Sequence, residues 1–150
     1  MVARKQTQKQ ELATLIRKAA EFHGHLGPFL VLGVRMGLIG LRELGTKEDG
    51  NLQVRALLRD SVPFSCTIDG IQMATKCTIG NQKLKLIDSL GIAAEFQLQP
   101  RKKITVAVNL DTFNKLRSRL LEDIPPEEVR KLGWMVASMP EEQLFIIARG

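Results

Sequence analysis

Apolar residues recur three and four positions apart at Leu12, Leu15, Ile16, Ala19 and Ala20, a spacing that predicts an amphipathic helix over residues 8–22. Residues 1–10 are polar and mostly lack apolar anchors. Gly24 and Gly27 interrupt the pattern, and Pro28 suits the first turn of a second helix, expected over residues 28–44 and ended by Gly45. That helix contains Gly33, Gly37 and Gly40 at spacings of four and three, so the glycines share one face. Such a face serves close backbone packing or close approach to a ligand, and packing is the more general use.

Beyond residue 50 the period shortens to two. Leu52, Val54, Ala56 and Leu58 alternate with polar residues and predict a strand over 52–60. A short helix is expected over 65–75. Strands follow at 84–88 and 93–98, joined as a hairpin by the turn Ser89-Leu90-Gly91, and a further strand at 103–110. Asp111 is a good N-cap for a helix through residue 121. Another helix opens at Pro125-Pro126 and runs to about residue 137. Residues 142–148 close the chain as a short helix or a strand. Helices, strand, helix, three strands and helices in that order make an α+β chain, not an alternating βα one. With no repeat, low-complexity tract or linker, it reads as one domain over residues 1–150, with a core of about 10–110 and a helical extension over 111–150.

The most apolar stretch, residues 28–41, is interrupted by Arg35 and is shorter than the ~20 residues of a membrane span. Two cysteines are too few for a disulfide framework, and no signal-peptide pattern opens the chain, so free thiols in the cytoplasm are expected. The net charge is +6, but the basic residues are spread along the chain without aromatic interleaving, which argues against a nucleic-acid interface.

Candidate chemistry gathers at two places. His23 and His25 are the only histidines and flank Gly24. On one helix they would point about 200° apart. In a glycine-broken bend they can face one side and offer two imidazoles to a transition metal, or one can serve as a charge near the helix C-terminus. Cys66 starts the short helix, where the dipole favours a thiolate, and Asp69 stands where it could reach back to Ser65 or Cys66 as in a capping box. Cys66 can equally be a small buried residue. Cys77 lies eleven residues on, about 16 Å away along a continuous helix at ~1.5 Å per residue. It joins Cys66 on one ion only if the chain turns back, and otherwise belongs to the wall or to a neighbouring copy. No G-x-S-x-G, P-loop or H-E-x-x-H pattern occurs, and no catalytic residue is assigned.

Phe22-His23-Gly24-His25-Leu26-Gly27-Pro28, with Leu32-Gly33-Val34-Arg35-Met36-Gly37 after it, resembles the F-H-G-H-x-C-P-G start of the FmdE/FwdE family, named for a component of formylmethanofuran dehydrogenase. Cys66-Thr67-Ile68-Asp69-Gly70-Ile71-Gln72 and Thr75-Lys76-Cys77-Thr78-Ile79-Gly80-Asn81 resemble that family's C-x-x-D-A-I-Q-x-x-T-G-C-T-x-G. The resemblance covers residues 15–110 and implies a helix, a strand, a helix and three strands in a mixed, mostly antiparallel sheet, here with extra C-terminal helices. It implies a transition metal, zinc first and nickel or iron next, on His23, His25, Cys66 and Cys77. Asp69 and Gln72 flank that site, and Gly24, Gly27, Gly33 and Gly37 line a cofactor-binding region. Gly27 replaces a family cysteine, Gly70 an alanine and Lys76 a glycine, and the C-terminal zinc ribbon of many members has no counterpart.

The function expected on this basis is a metal-binding accessory subunit or carrier. The alternatives are a small metal- or thiol-dependent redox enzyme and a tetrapyrrole- or pterin-binding module. The glycine face and the apolar run 29–32 exceed what one helix of a small monomer needs, so a homodimer is expected, with membership of a larger enzyme complex open.

Overall fold

The computed structural model describes residues 2–47, 51–98 and 102–150. Helix α1 spans Val2–His23 and α2 spans Pro28–Leu44. Strand β1 is Leu52–Leu57, α3 is Cys66–Thr75, and β2, β3 and β4 are Leu84–Ile87, Ala93–Leu98 and Lys102–Val108. Helices α4 (Leu110–Leu121), α5 (Pro126–Ser138) and α6 (Glu141–Leu144) lead into β5 (Phe145–Arg149). Among the described residues, no helix is long and apolar enough to cross a membrane.

The α+β class and the mixed sheet hold. The described strands form one sheet in the order β2-β1-β3-β4-β5, with β1 and β2 parallel and every other pair antiparallel. The parallel pair needs a crossover, and α3 supplies it. This overturns the expected hairpin between residues 84–88 and 93–98, because β1 lies between those two strands. The turn at Ser89-Leu90-Gly91 is real, with Gly91 at φ +72°, but a turn signal does not choose the partner. Phe96 and Ala94 pair with Val54 and Ala56 so that all four bury on one face.

Three boundaries also move. Helix α1 begins at Val2, because Ala, Arg, Lys and Gln favour helix without an apolar stripe to announce it. Asn109, not Asp111, caps α4: its Oδ1 accepts from Asp111 N at 2.9 Å and Thr112 N at 3.3 Å. The last segment, expected over 142–148 as a short helix or a strand, is both: a helical turn at Glu141–Leu144 and then a strand that extends the sheet at its β4 edge.

The sheet buries Leu52, Val54, Ala94, Phe96, Ile104, Val106 and Phe145 on the side where α2 lies. Helix α2 is packed on by α3, α5 and α1. The glycine face has the packing role. A side chain at Gly33 would collide with the Thr67 carbonyl, one at Gly70 with the Leu30 carbonyl, and a Cβ at Gly37 would lie 2.6 Å from Ala74 Cβ. Gly40 faces the sheet, where its Cβ would lie 2.5 Å from the Phe96 ring. Helices α2 and α3 thus meet backbone to backbone, which sets the position of Cys66 and Asp69. Phe29, Leu30, Val31 and Leu32 are wholly buried within the chain. The two features behind the expected homodimer are therefore both satisfied inside one chain.

Candidate metal centre

Helix α1 stops at His23 because Gly24 turns left-handed, at φ +109°, while its N–H donates to Ala20 O at 2.8 Å. A residue with a Cβ rarely adopts that backbone. Gly27, extended at φ −151°, then serves as N-cap of α2 ahead of Pro28. The bend folds His25 back onto His23, with ring centroids 4.7 Å apart and planes at 60°.

Helix α3, held close to α2 by Gly33 and Gly70, brings its first turn to the same place. One ligand atom each from His23, His25 and Cys66 lie within 4.8 Å of one another. Donors on one zinc stand about 3.5 Å apart, given Zn–N near 2.0 Å and Zn–S near 2.3 Å, so a small closure would suffice. His23 Nε2 is buried without a hydrogen-bond partner, and a buried polar atom normally has one. The donor set and this orphaned nitrogen fit a transition metal. His25 is exposed and Cys66 is buried, so the cluster opens to solvent on the His25 side.

Residues 22–146 match the family described as "FmdE, Molybdenum formylmethanofuran dehydrogenase operon". The chain belongs to the FmdE family. A curated relative from Archaeoglobus fulgidus, named "Probable S-adenosyl-L-methionine-binding protein", is 34% identical over 160 aligned residues and 92% of this chain. The chain spans only 43% of that relative's length. In fold, the chain is similar to an FmdE-like protein of the tungsten formylmethanofuran dehydrogenase type from Syntrophus aciditrophicus. That crystal structure has a TM-score of 0.61 at 17% identity, over 93% of this chain and 71% of its own.

Around the cluster of this FmdE-family chain, Asp69 does not form a capping box. Its Oδ2 accepts from His23 Nδ1 at 2.6 Å and its Oδ1 from Gln72 Nε2 at 3.1 Å, while Ser65 caps α3 without a side-chain bond. The net shift of the Cys66 thiol is upward, opposite to the lowering expected at a helix start. Burial pushes it up and the Asp69 charge adds to that, against a smaller opposing backbone hydrogen bond.

Cys77 is not brought into the cluster. Helix α3 ends at Thr75 and the chain bends at Lys76, but the bend carries the Cys77 thiol to Leu52 O of β1, to which it donates at 3.5 Å, and burial pushes this thiol up as well. Gly33 and Gly37 face α3, whereas Gly24 and Gly27 form the bend. A Cβ at Gly27 would lie 3.8 Å from His25 Cε1 and 3.1 Å from Val129 Cγ1. The position of the missing family cysteine therefore borders both the cluster and α5.

Sequence reasoning missed the part played by α5. Gly133 sits where a side chain would collide with Leu26, so α5 packs directly on the bend. The available signal was a glycine in the interior of an otherwise good helix, which costs about 1 kcal/mol unless packing requires it.

Proposed function

We propose that this chain is a transition-metal-binding accessory domain of the FmdE family, acting as a subunit or carrier within a larger assembly, with His23, His25 and Cys66 as ligands. What supports the reading is the convergence of the three donors on a spot where His23 Nε2 is buried and unpartnered. Mixed nitrogen and sulfur donors favour zinc first, then nickel or iron. Three protein ligands leave a position for water or a small ligand, as in catalytic or carrier sites and unlike closed structural ones. A bound ion would supply a Lewis-acid or redox centre; the protein orients His23, shields the buried side and leaves the His25 side open. Cys77 is outside the proposed ligand set because its thiol is committed to Leu52 O. A tetrapyrrole or pterin seat against the glycine face is not favoured, since α3 packs on Gly33 and Gly37 and the Phe96 ring on Gly40.

The test is metal per chain, by elemental analysis, in the wild type and in His23→Ala, His25→Ala, Cys66→Ala and Cys77→Ala. We expect about one ion per chain in the wild type and in Cys77→Ala, and marked loss in the other three. Unchanged stoichiometry in all four variants sinks the reading. Chelation is expected to leave the far-UV circular dichroism intact, because a core of this size stands without metal. Unfolding on chelation would make the ion structural.

A further inference from the structure

His23 carries a second interaction that the ligand set does not account for. Its Nδ1 lies 2.6 Å from Asp69 Oδ2. An ionised carboxylate only accepts hydrogen bonds, so Nδ1 must carry the proton. In the neutral imidazole the lone pair then falls on Nε2, the buried atom without a partner. The carboxylate is itself held. Gln72 Nε2 donates to Asp69 Oδ1 at 3.1 Å, and Gln72 Oε1 accepts the backbone N–H of Ile79 at 3.0 Å. That leaves the Gln72 amide one assignment, with nitrogen towards Asp69 and oxygen towards Ile79. The loop bearing Ile79 is braced in turn. Thr78 N donates to Asn81 Oδ1 at 2.9 Å, and Asn81 Nδ2 donates to Lys76 O at 2.8 Å.

We propose that Asp69 is a positioning residue. Through the Ile79–Gln72–Asp69 chain it fixes the Nδ1–H tautomer and the ring orientation of His23, so that the bare Nε2 faces the cluster. The inference rests on the metal reading and assigns the segment after α3 a task in it: residues 76–81 brace the histidine from behind. Asp69 is not among the residues whose donor atoms converge, and its oxygens hold His23 and Gln72, so the carboxylate acts through His23. Carboxylate or carbonyl partners of this kind are worth about 10–100-fold in metal affinity.

The experiment has two readouts. In metal-free protein, at a pH where the imidazoles are neutral, long-range proton–nitrogen NMR correlations report which His23 nitrogen is protonated. Competition with a chromophoric chelator reports zinc affinity. Wild type should show Nδ1 protonated and Nε2 bare. Asp69→Ala should lose that preference and bind zinc about 10–100-fold more weakly with its circular dichroism unchanged. Gln72→Ala should keep the tautomer and lose less affinity. A protonated Nε2 in the wild type overturns the proposal, as does an Asp69→Ala affinity equal to wild type. Wild type that binds no zinc, nickel or iron sinks the metal reading and the proposal with it. A wild type that binds metal beside an unaffected Asp69→Ala sinks the proposal alone.

Discussion

At the scale of single residues, two glycines decide more than the ligands do. Gly33 and Gly70 let backbone meet backbone between α2 and α3, and a methyl group at either would strike a carbonyl that cannot yield cheaply. Gly33→Ala is expected to cost about 1–3 kcal/mol or more, the range for overpacking in a filled interior, read as a lower midpoint of chemical denaturation. Because α3 carries Cys66, the same variant should bind metal more weakly even where it still folds. The thiols offer a second check. A helix-start position by itself would make Cys66 the faster of the two towards thiol reagents, but both cysteines are buried and both thiols are pushed up. The sharper difference concerns the ion: zinc should slow alkylation at Cys66 and leave Cys77 unchanged, as peptide mass spectrometry would show. Equal protection of both would return Cys77 to the site.

Among elements, α5 and the residues after it are tied to α2 by arginines. Arg35 Nη1 donates to Val136 O at 2.8 Å and Met139 O at 2.6 Å, satisfying carbonyls at the end of α5, and the guanidinium lies over the Phe145 ring. Burial pushes the Arg35 guanidinium down, while the Glu141 and Glu142 charges oppose that. Arg35→Met keeps much of the stem and strips the donors. It should destabilise by about 1 kcal/mol or more, the cost of leaving part-buried carbonyls unpaired, and should loosen α5 from the bend at Gly27. Arg42 makes a two-pronged bond to Glu141, at 2.7 and 3.0 Å. The hydrogen bond from Arg42 holds the Glu141 carboxyl below its ordinary value. A depressed carboxylate contributes stability that is full above its unfolded value, about 4.3, and is lost as pH falls through the folded value. Glu141→Gln should therefore be less stable than wild type at neutral pH by up to about 1 kcal/mol, since the pair is partly exposed. The gap should close on acidification below about pH 4 and shrink in high salt. A gap that widened in acid would contradict the sign.

In the whole molecule, the described strands form one sheet with helices banked on the face of Val54, Phe96 and Val106, while Arg55, Glu95 and Lys103 on the other face make ion pairs. Much of this was legible in the chain. Period-two alternation marked β1 and β4 because one face of each is buried, and the glycine and proline punctuation located the bend at 24–28 because Gly24 takes a left-handed backbone, at φ +109°, and Pro28 has no N–H to continue the ladder of the first helix. His23, His25 and Cys66 were readable as candidates from residue type and local breaks. Strand partners were not. The parallel β1–β2 pair, the entry of residues 145–149 into the sheet and the packing of α5 on the bend are contacts between distant segments that no local period encodes. Asp69 shows the limit most clearly. Its place three residues after Cys66 matched a capping box, and only the arrival of α1 beside α3 gave its carboxylate a histidine 46 positions away. Residue type and spacing determined which groups were available, because helical and extended periods, turns and donor chemistry are local properties. The close approach of α2 and α3 decided which of them met, because a hydrogen bond or a ligand set depends on distances of a few ångströms that only the packed chain sets.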